Sequence, residues 1–239
     1  MAFFHQPQAR QPILHLPGVV LVLILLFVAL EAWREVVIGP NTAELFYRFA
    51  LVPARYSHAY LTQHLVNGGN LLERAVPFVS YMFLHASWNH VAVNSVWLLP
   101  FGSVVARRYG TLLFVFFFLL CGIAGAVVHL LLNWGSVSPV IGASAAISGL
   151  MGASFRMLPT GHRAALQPLV SAPVILSSVV WIGINVVAVI TGFGAGPGVH
   201  MVAWEAHIGG YFAGLLLAGP FDALRRRSGR LEESERPLR

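Results

Sequence analysis

Hydrophobic positions along this chain fall in long runs, not in the alternation of a half-buried strand or the one-sided stripe of a surface helix. Six runs stand out, at about 18–37, 77–102, 111–134, 142–158, 168–191 and 203–221, each near the roughly 20 residues a helix needs to cross a bilayer. The first, Val19 to Trp33, lacks a small-x-small cleavage site and reads as a retained helix, not a signal peptide. A loop of about forty residues follows it, containing NTAELFYRFALVPARYSHAYLTQHLVNGGNLLER; its Leu, Phe and Tyr place it at the bilayer interface. The pattern predicts an all-α membrane protein. A six-transmembrane-helix bundle over residues 18–221 stands between a short N-terminal segment, 1–17, and a basic tail, 222–239.

Composition supports this reading: 57% of the 239 residues are hydrophobic and only 10% charged, too few for a soluble surface. The formal charge of +6 does not signal nucleic-acid binding, because all fifteen basic residues are arginines and six crowd the last fifteen positions. Beside a membrane helix, such a cluster sets topology or touches anionic lipid. Arg10, Arg107, Arg108, Arg156, Arg163 and the tail fall on one side of a six-span chain, so both termini are expected in the cytoplasm. With no transit peptide, a bacterial inner membrane is the expected location. The lone Cys121 lies in an apolar run and reads as core.

Polar groups inside a membrane are costly, so each becomes a functional candidate. The second run carries His85, Asn89, His90, Asn94 and Ser95, the fourth Ser144 and Ser148, and the sixth Glu205 and His207. Counted at about 1.5 Å per residue from the cytoplasmic arginines, Ser144, His90 and His207 lie about 18, 25 and 27 Å away, one layer in the outer part of the bilayer. Ser138-Pro139 and Gly142 delay the start of the fourth helix. A helix beginning that deep needs a protein-buried or wet entrance.

Small residues give these groups a way to meet. Ser144, Ser148 and Gly152 form one strip, and His207, Gly210 and Gly214 another, the latter with the Gly-x-x-x-Gly spacing of close helix packing. Serine against histidine is the minimum for an activated nucleophile. His90 and Asn94, at i and i+4, share a helix face, and with the Ser144 N–H can donate to a developing oxyanion. Glu205, two residues from His207, points elsewhere, which leaves a Ser–His dyad. Each group also has a packing interpretation. Ser148 reads as a serine bonded back to its own helix, held in reserve as a substitute nucleophile; His90 and Asn94 could be a structural pair, and His129 and Trp134 interface anchors. Metal and aspartyl mechanisms fail: His85 and His90 lack the H-E-x-x-H spacing, and the one aspartate, Asp222, sits at the cytoplasmic edge.

FLHASWNHVAVN, GASAAISGLMGA and AHIGGYFAGLL, in this order, resemble the rhomboid family of intramembrane serine proteases. The resemblance implies a rhomboid-like bundle with Ser144 as nucleophile and His207 as base. It further implies His90 and Asn94 in the oxyanion hole, His85 in a supporting network, and Gly142 just ahead of the nucleophile. No cofactor or metal is implied; the partners would be transmembrane segments of membrane-protein substrates within the lipid bilayer. Because the base must be neutral, activity is expected to fall below about pH 6.5. The family's G-x-S-G is here G-A-S-A, and Ala145 keeps open an alternative: a catalytically inactive scaffold that binds transmembrane helices. A transporter would show an internal repeat or paired intramembrane charges, and neither is visible.

Overall fold

A computed structural model describes residues 16–39, 42–64, 71–158, 165–191 and 203–234. Residues 1–15 with Arg10, the loop arginine Arg163, and residues 235–239 of the tail lie outside the described residues. Among the described residues the secondary structure is helical, with extended pairing confined to a bridge between Leu51 and Val140.

Helix α1 (Gly18–Trp33) runs on through a π-helical turn, Arg34–Ile38, and stops at Gly39 with φ +49. Glu31 is buried in it, and Arg34 one turn on donates to both its oxygens at 2.5 and 3.0 Å. Pairing within one turn offsets part of the cost of burying the carboxylate. The long loop is folded, into α2 (Thr42–Phe49), α3 (His58–His64) and α4 (Leu71–Ala75). Leu51 and Val140 exchange backbone bonds at 3.1 and 2.8 Å, and the Ala54 N–H donates to Ser136 O at 2.8 Å. The loop is thereby stitched to the segment that leads into α7 (Ser144–Arg156).

The span expected over 77–102 is not one helix. A short α5 (Pro77–Ser80) and a 3-10 turn, Tyr81–Phe83, give way to extended backbone at Leu84, and α6 starts only at Trp88. Ser87 sets that start: its backbone is extended and its Oγ accepts the His90 N–H at 3.3 Å, an N-cap. Tyr81 holds the preceding turn in place. Its hydroxyl donates to Gly122 O at 2.7 Å, and its own carbonyl accepts the Gly142 N–H at 2.8 Å. Helix α6 (Trp88–Leu132) is broken at Gly110 (φ 76, ψ 172), where two helical limbs meet at a kink. Along with α8 (Ala172–Thr191), α6 is long and apolar enough to cross a membrane. Helix α9 (Trp204–Ser234) continues past residue 221 despite Pro220.

The core forms where α6, α7 and α9 meet. Every residue of α7 from Ala145 to Ser154 is buried, which its small side chains permit. The closest backbone approach falls one residue further along α7 than the Ser144–Ser148–Gly152 strip expected from sequence. A β-carbon on Gly210 would overlap the Ala145 carbonyl, and one on Gly214 would overlap that of Gly149. The far ends are tied by charge. The Arg108 guanidinium reaches Asp222 at 2.6 and 2.8 Å, and Arg226 joins from the next turn at 2.9 Å. Asp222 is 4% exposed, so Asp222→Ala leaves Arg108 without this partner and is expected to cost about 2 kcal/mol. Unfolding in detergent micelles would register it; an unchanged midpoint would refute it.

Candidate active site

Ser144 is the first residue of α7, and the geometry of Gly142 puts it there. Gly142 has φ +110, outside the ordinary range of an L side chain, and lets the chain turn from the Val140 bridge into the helix. A β-carbon there would lie 2.6 Å from His90 Nε2, so this glycine also opens the room into which the imidazole points. Ala143, at the N-cap, makes no side-chain capping bond. The first N–H groups of α7, Ser144's among them, have no acceptor within the helix.

Ser144 Oγ lies 2.7 Å from His207 Nε2, across the α7–α9 seam. The other ring nitrogen, Nδ1, lies 2.8 Å from Asn185 Oδ1 on α8. Ala86 N–H approaches His90 Nδ1 at 3.4 Å. A ring nitrogen that accepts leaves its partner protonated, so His90 Nε2 is the donor, and it faces Gly142. Asn94 is buried, and one of its amide hydrogens goes to His90 O at 3.0 Å, which leaves a second for another acceptor. The ring of His85 is buried between Phe27 and His90, 5.0 Å from each by ring centroid. Ser144, His207, His90, Asn94, Gly142 and His85 thus form one contiguous cluster.

Other residues resolve differently. Ser148 donates to Ser144 O at 2.8 Å, the packing role considered for it. His129 is no interface anchor: it is buried, with Nδ1 3.4 Å from Glu205 and Asn133 beside it. Glu205 is turned to that partner and not to His207. The Ala145 methyl packs toward Gly125 of α6, where a missing side chain makes room for it. Asn185 belongs to the site although it is not among the residues singled out by sequence. The signal was present, since an amide in the middle of VVWIGINVVAVI is as anomalous in a membrane helix as a histidine.

Fold and site together define a helical integral membrane protein with a serine–histidine pair on two closely packed helices. The model of the Rhomboid domain matches residues 72–221, well over half the chain, and the protein belongs to the rhomboid family, known for intramembrane proteolysis. It is also similar to Rhomboid protease GluP of Bacillus subtilis (strain 168), 29% identical over 136 residues, or 56% of this chain and 24% of that protein. The chain thus spans about a quarter of the length of this relative.

Proposed function

We propose that this protein is an intramembrane serine endopeptidase that cuts peptide bonds in or beside the transmembrane helices of other membrane proteins. The observation that carries the reading is the 2.7 Å contact between Ser144 Oγ and His207 Nε2. His207 Nε2 takes the hydroxyl proton as Ser144 Oγ attacks the substrate carbonyl. His90 Nε2–H, the free Asn94 amide hydrogen and the Ser144 N–H stabilise the negative charge that develops on the carbonyl oxygen. The proton passes from His207 to the leaving amine, and water then releases the acyl group by the same steps. Substrate helices with small or helix-breaking residues suit this site, since they expose their backbone most readily.

The reading includes six spans within residues 18–221, both termini in the cytoplasm, and residence in a bacterial inner membrane. Arginine placement supports that orientation. Purified protein with several single-span substrates, beside Ser144→Ala and His207→Ala, tests the activity. Cleavage lost in both variants supports the reading. Helix binding without cleavage by the unaltered protein would instead favour a scaffold.

Asn94→Ala is expected to lower kcat about 10²-fold with little change in KM, because its amide serves the transition state. Steady-state kinetics in micelles would show this. A loss confined to KM would remove Asn94 from the oxyanion site.

A further inference from the structure

Resting on the protease reading, we propose that Asn185 is a positioning residue for His207, so that the site is a Ser144–His207–Asn185 triad and not a dyad. The buried face of α8 is a single strip, Val174, Trp181 and Asn185, with half-buried Ser178 between the first two. Ser177, Ser178 and Thr191 each donate back to a carbonyl of α8 itself, the common fate of small polar groups in a membrane helix. Asn185 does more. Its Nδ2 donates to Trp181 O at 2.9 Å, while its Oδ1 leaves the helix for His207 Nδ1.

Those two bonds fix a proton. A backbone carbonyl only accepts, so the amide end facing Trp181 O must be the nitrogen, and the end facing His207 the oxygen. An amide oxygen also only accepts, so His207 Nδ1 must carry the hydrogen. Nε2 is then left with its lone pair aimed at Ser144 Oγ, the form a general base needs. Without an acceptor at Nδ1 the ring is free to hold its proton on Nε2, where it cannot take one from serine. Nδ1–H keeps its proton throughout; Asn185 orients the ring and its dipole steadies the imidazolium.

The neighbouring rung of α8 and α9 holds this register. Trp181 stacks on Tyr211 at 4.2 Å between centroids and 8° between planes, and Ser178 Oγ meets Tyr211 Oη at 2.6 Å. Trp181 is one turn before Asn185 and Tyr211 one turn after His207, so both pairs belong to one antiparallel ladder. An amide also suits the site better than a carboxylate, because it adds no charge to a membrane interior. Glu205, the nearest carboxylate in sequence, is engaged with His129 instead.

Asn185→Leu keeps the size and suits an apolar helix; Asn185→Asp keeps the accepting oxygen. With the intact protein in micelles, Asn185→Leu is expected to lower kcat about 10²-fold with KM within about twofold, and Asn185→Asp to recover at least about a tenth of the lost rate. Nitrogen-15 NMR of the histidines, with His207 assigned by comparison with His207→Ala, should show Nδ1–H in the unaltered protein and its loss in Asn185→Leu. Wild-type kcat in Asn185→Leu would overturn the proposal. So would a loss that Asp does not relieve with the tautomer unchanged, since that pattern means packing alone. If the unaltered protein cuts no substrate, the protease reading fails, yet the tautomer comparison still decides whether Asn185 sets the ring.

Discussion

Ser144→Ala is expected to lower kcat/KM for a transmembrane substrate about 10⁴-fold or more, to background. The oxygen removed is the one held 2.7 Å from His207 Nε2, and no neighbour replaces it. Ser148, one turn on, donates its hydroxyl to Ser144 O, so it is turned back along α7 and lacks a base. Alanine fits the first turn of a helix, and α7 should fold unchanged; the loss is therefore chemical. Mass spectrometry after treatment with a fluorophosphonate gives an independent readout, with one adduct expected on Ser144 and none in the variant. An adduct on Ser148, or cleavage that survives Ser144→Ala and vanishes in Ser148→Ala, would move the nucleophile. Full activity in both single variants would end the serine mechanism.

The Ser–His geometry was legible in the sequence because each group announces itself by cost. Ser144, His90, Asn94 and His207 are polar groups in apolar runs, and glycine spacing on the last helix shows where backbones close up. Helix starts were less legible. Residues 77–87 are about as apolar as the opening turns of the helix that follows, 88–102, and the Ser87 cap and the Tyr81 bonds, one of them across forty-one positions, break them off. Periodicity carries no trace of such long-range bonds. The first loop reads as interfacial from its Leu, Phe and Tyr, but its anchors leave no local trace for the same reason: Leu51 to Val140 and Ala54 to Ser136 pair segments far apart in the chain. The position of His129 near a helix end suggests the interface, whereas its partner Glu205 comes from another helix, a pairing that local sequence does not carry.

Ala145 bears on whether the site is active or a relic. A methyl after the nucleophile would matter most if it filled the space of the oxyanion. It lies against Gly125 of α6 instead, while the proposed oxyanion donors, His90 and Asn94, gather around Gly142. One missing side chain on α6 thus offsets the extra carbon on α7. This packing is compatible with the proposed activity and gives no support to the scaffold.

The second large effect is expected where no reacting atom is touched. Gly210 lies one turn from His207 on α9, and a β-carbon there would overlap the Ala145 carbonyl. Backbone cannot swing aside as a flexible side chain can, so α7 and α9 must part. Gly210→Ala should destabilise the bundle by about 3 kcal/mol, as overpacking does. It should also cut kcat at least about 10²-fold, because a displacement of about 1 Å takes His207 out of reach of Ser144. Gly210→Val, with two further carbons, should exceed about 4 kcal/mol and leave no measurable activity. Gly183→Ala is the control. That glycine sits on α8 with open space around it, and alanine there should be neutral or stabilise by about 0.5 kcal/mol through helix propensity. Unfolding midpoints and cleavage rates measured together on the three variants separate the causes. If Gly210→Ala melts and cleaves like the unaltered protein, the two helices are not held at backbone contact, and the proximity of serine and histidine must have another source.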